Sequence, residues 1–269
     1  MSYLVEVDGD AFAVRIPGRN TELYLDREAE KKNMELLGRT GVSPQLVDFR
    51  KDSKIMIREF IRGKVATKKS FKDPELRRKT VTAIKQLHES RIVLCNDFNV
   101  FTEIRRYQGL VKNYGEEILN SYPTAQICKT TENIERELAK HASIKVACHN
   151  DLLPENFILT NDGIRIVDWE YAGMNDRCYD IANHIAELDN LEDEEEAHII
   201  DLYFDGDADR ERWKVDLYRL PSRFLWALWA VIQYHTSELE FDYDKYARYQ
   251  LDQCLRHIDI LEMRYPHLF

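Results

Sequence analysis

The 269-residue chain has no C-x-x-C pair, and its five cysteines (Cys95, Cys128, Cys148, Cys178, Cys254) are odd in number and scattered. Neither a disulfide framework nor a thiolate zinc site fits that spacing, and a reducing cytoplasm is the expected compartment. Long apolar runs are scarce as well. The longest, from Phe224 to Ile232, falls far short of the ~20 residues that span a bilayer, so no transmembrane segment is expected. No basic stretch leads into an apolar run at the start, which argues against a secretory leader. Positive charge is in the minority. A formal net charge of -10 and a pI near 5.4 exclude a general nucleic-acid binder, which needs a basic face.

What the chain does contain is the mixture of a globular protein, 44% hydrophobic and 32% charged, at a length that buries a full core. The pattern predicts an α+β protein of two lobes, divided near Arg62-Gly63-Lys64. Residues 1–62 read as a small antiparallel sheet with one helix. Tyr3 to Val7 and Ala11 to Ile16 flank the turn Asp8-Gly9-Asp10, and Leu46 to Phe49 and Ile55 to Ile61 form a second strand pair. Between the pairs, Thr21 is the expected cap of a helix reaching Arg39, with Gly41 as its stop. Residues 63–269 read as mainly helical, over 73–90, 100–120, 131–143, 178–190, 194–204, 210–236 and 243–263. One β interruption stands out: Phe157 to Leu159 and Ile164 to Val167, joined by Asn161-Asp162-Gly163.

That hairpin follows the segment His149-Asn150-Asp151-Leu152-Leu153-Pro154-Glu155-Asn156, which has the His-x-Asp-x-x-x-x-Asn spacing of a kinase catalytic loop. Asp168 closes the hairpin. Each residue type suits phosphoryl transfer. A Mg²⁺ ion bridging phosphate oxygens takes carboxylate and amide oxygens, here Asp168 and Asn156. Asp151 is placed to orient an acceptor hydroxyl and take its proton, and His149 reads as a brace for the loop. Isolated Asp and Asn residues also merely close turns, but the hairpin ending in Asp168 favours the chemical reading.

The first lobe offers matching partners for a nucleotide, ATP in this reading. Arg15, in a strand, can meet the α- and β-phosphates while a helix glutamate holds it. Glu30 shares a helical face with Leu23, Met34 and Leu37, whereas Glu28 lines up with Lys31, Lys32 and Glu35, so Glu30 is expected to point inward. The alternative is a surface salt bridge on an amphipathic helix. Glu59 to Ile61 end the last strand before the hinge, where backbone groups can hydrogen-bond an adenine edge; an ordinary edge strand looks the same.

With these residues in place the chain resembles the choline/ethanolamine kinase family, within the wider aminoglycoside-phosphotransferase-like group, and LicA-type bacterial choline kinases especially. The resemblance runs from Ala13-Val14-Arg15-Ile16-Pro17-Gly18 through Ser43-Pro44-Gln45-Leu46 and His149-Asn150-Asp151 to the C-terminal helices. It implies a protein-kinase-like fold, ATP and Mg²⁺ as cofactors, and choline or a similar amino alcohol as the partner molecule. Ile166-Val167-Asp168-Trp169-Glu170-Tyr171 is similar to the family's metal-binding segment, and Asp180 to His184 to the helix behind it. The resemblance implies that Glu187 faces the substrate cation, with Glu170 nearby. Phe224 to Trp229 and Phe241 to Ala247 are similar to the segments that line the family's choline pocket.

A trimethylammonium has no N–H, so rings and diffuse negative charge hold it, at about 0.5–2 kcal/mol per cation–π contact. Trp226 with Trp229, and Tyr243 with Tyr246, are i, i+3 neighbours on helical faces and make a possible cage with Glu187. The same rings can equally fill a core. Two departures accompany the resemblance. The chain opens at what matches the family's second strand, so the loop that covers the ATP phosphates is expected to be absent: either residues precede Met1 or part of the nucleotide site is lost. Leu188 stands where animal choline kinases have tryptophan. The expectation is a choline kinase; a kinase for ethanolamine, an aminoglycoside or another small alcohol, and a choline-binding protein with impaired ATP handling, are the alternatives.

Overall fold

The computed structural model describes residues 2–18, 21–141, 143–188 and 191–269. The first lobe is a four-stranded antiparallel sheet in the order β1-β2-β4-β3, made from β1 (Ser2–Val7), β2 (Asp10–Arg15), β3 (Leu46–Arg50) and β4 (Ile55–Glu59). Its single α-helix, α1 (Arg27–Leu37), starts later than the sequence suggests. Thr21–Leu23 is only a 3₁₀ turn, and the cap is Asp26, whose carboxylate accepts from Glu28 N–H and Ala29 N–H. Asp outranks Thr as a cap because it brings an acceptor and a negative charge to the positive end of the helix dipole. Glu30, Asn33, Met34 and Leu37 share the buried face.

The chain leaves β4 through Gly63, which has no room for a side chain: a Cβ there would lie 2.4 Å from the Leu159 carbonyl oxygen and 2.6 Å from Ile158. This close passage lets β5 (Lys64–Val65) join β7 (Phe157–Thr160) and β8 (Gly163–Ile166) in a small sheet beneath the first lobe. A second pair, β6 (Val146–Cys148) with β9 (Gly173–Asn175), brackets the loop that carries Asp151. The sequence reading had neither β5 nor this pair, because strands of two or three residues are too short to show a period.

The helices of the second lobe are α2 (Pro74–His88), α3 (Val100–Tyr114), the single turn α4 (Glu117–Asn120), α5 (Thr124–Ala139), α6 (Arg177–Glu187), α7 (Asp193–Phe204), α8 (Ala208–Thr236) and α9 (Tyr243–Arg264). Two differ from expectation. α3 stops at Tyr114 because Gly115 adopts a φ of 141°, closed to other residues. α5 begins seven residues before the expected 131, directly after Pro123, whose missing N–H no helix start needs. Residue 142, at the end of that expected helix, and residues 189 and 190, at the end of the one after Cys178, lie outside the described residues. α8 is buried along most of its length against α3, α6 and α9. Among the described residues no helix is long and apolar enough to cross a membrane.

Candidate active site

The loop 149–156 is held from behind by one face of α6. Asp180 accepts hydrogen bonds from the backbone N–H groups of His149 (2.8 Å) and Asn150 (2.7 Å), and Asn183 accepts from Leu152 N–H at 2.6 Å. Asp180 is itself fully buried and bonded to His88 Nε2 at 2.9 Å. Burial pushes its carboxyl up, but His88 and then His149 more than offset this and hold it below the usual range. His149 braces the loop from inside. Its Nδ1 accepts from Asp151 N–H, its Nε2–H donates to the Val167 carbonyl, and its ring packs on Trp169 at 4.6 Å. Burial lowers its pKa, so the ring is neutral with the proton on Nε2.

This scaffold presents Asp151 in a nearly closed setting. Burial, then the charges of Asp168, Glu187 and Glu170, push its carboxyl well above the ordinary range. Asn156 donates its amide N–H to the Asp151 carbonyl at 2.8 Å, which turns the amide oxygen away from that bond. Asp168 sits just past β8 with a left-handed φ of 70°, and Asn150 has φ 68°. Asn and Asp are the non-glycine residues that enter that region most readily, and beside Asp168 the fully buried Trp169 donates to the Ile166 carbonyl and holds the turn. The Asp168 carboxylate remains 41% exposed. An amide oxygen and an accessible carboxylate are the donor set that a hard divalent cation takes, so these residues fit Mg²⁺.

Facing them from the sheet is Arg15. It pairs with Asp168 and Glu170 across the cleft and with Glu30 of α1 at 3.4 Å. Glu30 is 3% exposed, while Glu28 lies on the surface with Lys54. The sequence reading missed a third member, Arg27, which bonds Glu30 at 2.6 Å and Glu170 at 2.9 Å. Its spacing of three from Glu30 on the same helix was the available signal. Arg58, also missed, is buried on β4 beside them. Glu170 thus belongs to the arginine cluster; burial and Asp168 raise its pKa, which Arg15 and Arg27 oppose.

At the hinge, the Glu59 carboxylate is engaged by Gln45 N–H and by Arg165, and the Glu59 N–H by the Gln45 carbonyl. The Ile61 backbone N–H bonds to no described residue. A cavity of about 700 Å³ touches Glu59 to Arg62, but it is lined by α2 and the β7–β8 turn and contains none of Arg15, Asp151, Asn156 or Asp168.

The rings proposed from the sequence form one cluster centred on Trp229. Its ring lies 6.1 Å from Trp226, 5.8 Å from Tyr243 and 6.3 Å from Tyr246, each edge to face. Two further rings join it, Tyr171 against Trp226 at 5.1 Å and Phe241 against Tyr243 at 4.8 Å. Glu187, at the end of α6, is 3% exposed. Burial, then the Glu187 carboxylate, raise the Tyr246 phenol, and Asp151 adds to the effect, so this one ring of the cluster lies within electrostatic reach of both carboxylates.

Two lobes joined in this way, with a kinase-type loop on the helical side and an arginine held by a helix glutamate on the sheet side, define a class: a kinase-like phosphotransferase that uses ATP and an alcohol acceptor. Residues 4–213 match the choline/ethanolamine kinase family model, and the chain belongs to that family. It is 30% identical to ethanolamine kinase 2 of Mus musculus over 97% of this chain and 74% of that one. It is 27% identical to probable choline kinase 2 of Arabidopsis thaliana over 89% and 75% respectively. Among solved structures, the choline kinase LicA from Streptococcus pneumoniae superposes with a TM-score of 0.82 at 26% identity, covering 95% of this chain and 89% of LicA.

Proposed function

We propose that the chain transfers the γ-phosphoryl group of ATP to the hydroxyl of choline, giving phosphocholine and ADP. The observation that carries the choice of choline is the ring cluster around Trp229 beside Glu187. A quaternary ammonium offers no N–H to a carboxylate, so aromatic faces and one buried negative charge suit it, whereas a primary ammonium needs hydrogen-bond acceptors. The likeness to a choline kinase, LicA, supports the same reading.

In this reading residues 1–62 hold the nucleotide and residues 63–269 the acceptor. The Ile61 N–H meets the purine edge, and Arg15, oriented by Glu30, meets the phosphates. Asp151 accepts the proton of the choline hydroxyl as its oxygen bonds to phosphorus and the bond to the ADP oxygen breaks; its raised pKa makes it a stronger base than an exposed carboxylate. Asn156 and Asp168 hold Mg²⁺, which when bound neutralises charge on the phosphate oxygens. Trp226, Trp229, Tyr243 and Tyr246, with Glu187, seat the trimethylammonium, and Glu170 keeps the arginines in register.

The test is steady-state kinetics with choline and with ethanolamine. The wild-type chain is expected to favour choline, and Asp151→Asn to lower turnover by about 10²- to 10⁴-fold, the usual contribution of a general base. Trp229→Ala is expected to raise KM for choline roughly tenfold, equivalent to about 1.4 kcal/mol, and KM for ethanolamine much less. Ethanolamine preferred by the wild type, or both substrates weakened equally, would transfer the assignment to the ethanolamine reading that the similarity to the mouse enzyme favours.

A further inference from the structure

Around Arg15 lie two further arginines (Arg27, Arg58) and three carboxylates (Glu30, Asp168, Glu170), and their pairing is uneven. Arg15 bonds all three carboxylates, and Arg27 bonds Glu30 and Glu170. Among the described residues Asp168 therefore pairs with Arg15 alone. Arg58 is 6% exposed, yet its side chain makes no hydrogen bond to any described residue, and its Nε and Nη1 are shut off from solvent. A buried guanidinium without an acceptor is unfavourable, and such groups normally find one.

Its position decides which acceptor. Across the β2–β4 ladder Arg58 faces Ala13 and Met56 faces Arg15, so Arg58 and Arg15 are diagonal neighbours on one face of the sheet. Of the nearby charges, Asp168 acts on Arg58 most strongly, followed by the repelling Arg15. Asp168 in turn feels Arg58 second only to Arg15 among charged groups. When Arg15 turns to the phosphates, Glu30 and Glu170 keep Arg27, whereas Asp168 keeps no arginine. The carboxylate that loses its partner and the arginine that lacks one both neighbour Arg15.

We propose that Arg58 is the replacement partner of Asp168, taking one oxygen of its carboxylate as Arg15 moves to the nucleotide and so holding Asp168 in place for the cation. This makes Arg58 a positioning residue, and it rests on the assignment of Asp168 to the metal. An arginine that only filled space would be replaceable by methionine without loss; apolar replacement of a buried unpaired charge is commonly neutral or stabilising. The role proposed here separates stability from binding.

The experiment is calorimetric binding of ADP with saturating Mg²⁺ to the whole chain, with thermal melting of each variant. Arg58→Met is expected to melt at or above the wild-type temperature and to bind Mg·ADP about tenfold more weakly, with Arg58→Lys recovering part of the loss. In an Asp168→Asn background the same Arg58→Met change is expected to alter affinity less than twofold, because the two residues act as one unit. Unchanged affinity in Arg58→Met overturns the proposal. So does an equal loss in the Asp168→Asn background, which would make Arg58 a direct ligand of the nucleotide. If Arg58→Met does not fold, Arg58→Lys and Arg58→Gln are compared in both backgrounds under the same criteria. Asp168→Asn alone binding Mg·ADP as the wild type does would instead overturn the metal assignment beneath it, and the proposal with it.

Discussion

Asp151 shows how one residue's setting determines its chemistry. In its proposed role as base Asp151 must be ionised to take a proton, so activity is expected to fall as pH drops through its pKa. Burial and then Asp168, Glu187 and Glu170 raise that pKa. The acid limb of the kcat profile is therefore expected above the ordinary carboxylate value of about 4. Removing one negative neighbour reverses part of the shift: Glu187→Gln is expected to move the limb to lower pH at saturating choline. A limb that stays in place would show that Glu187 does not act on Asp151. The loop spacing for Asp151 and Asn156 and the hairpin ending in Asp168 pointed to residues that the fold brings together, and helical periodicity separated the buried Glu30 from Glu28 at the surface. Arg27 left only its spacing of three from Glu30 as a signal, and Arg58 left none. An arginine on an amphipathic helix or at the end of a strand ordinarily reads as a solvated end, and only the tertiary arrangement turns these two inward.

At the scale of elements, α6 sets the loop geometry. One turn of this helix supplies Asp180 to two N–H groups and Asn183 to a third, and Asp180 ties in His88 of α2 as well. Removing the charge of a buried, hydrogen-bonded carboxylate costs about 3 kcal/mol or more, so Asp180→Ala is expected to lower the stability measured by urea denaturation by that amount and to reduce kcat. Because the folded pKa of Asp180 is depressed, its contribution is present above the unfolded carboxylate value of about 4 and is lost as pH falls through the folded pKa. The stability gap between wild type and variant should thus narrow in acid; a constant gap would mean that packing, not charge, is responsible. Long elements with a clear period, such as α8 and α9, were visible in the sequence. The starts of α1 and α5 were not, since capping by Asp26 and Pro123 competes with equally plausible caps nearby. Nor was the pairing of β6 with β9, which joins residues far apart in the chain.

For the whole molecule the question is how two lobes share one ligand. The lobes are joined by the Arg15 and Arg27 ion pairs to Asp168 and Glu170, by Arg165 with Glu59, and by the Ile166 N–H on the Val42 carbonyl. A nucleotide that takes Arg15 while its cation takes Asp168 exchanges cross-cleft ion pairs for ligand bridges, so binding should stabilise the folded chain as a unit. A ligand at 100 times its Kd adds about 2.7 kcal/mol, and for a chain of this size about 2–4 °C accompanies each kcal/mol. Mg·ADP at that level is expected to raise the melting temperature by roughly 5–10 °C, and choline added with it to raise it further. Asp168→Asn should remove most of the Mg·ADP effect and leave the melting point of the free chain nearly unchanged, since a partly exposed carboxylate contributes little on its own. A wild-type chain whose melting point rose with choline but not with Mg·ADP would be a choline-binding protein that handles ATP poorly. The closed set of ion pairs between the lobes would then be a permanent brace for the fold, with no exchange of partners for a nucleotide to drive.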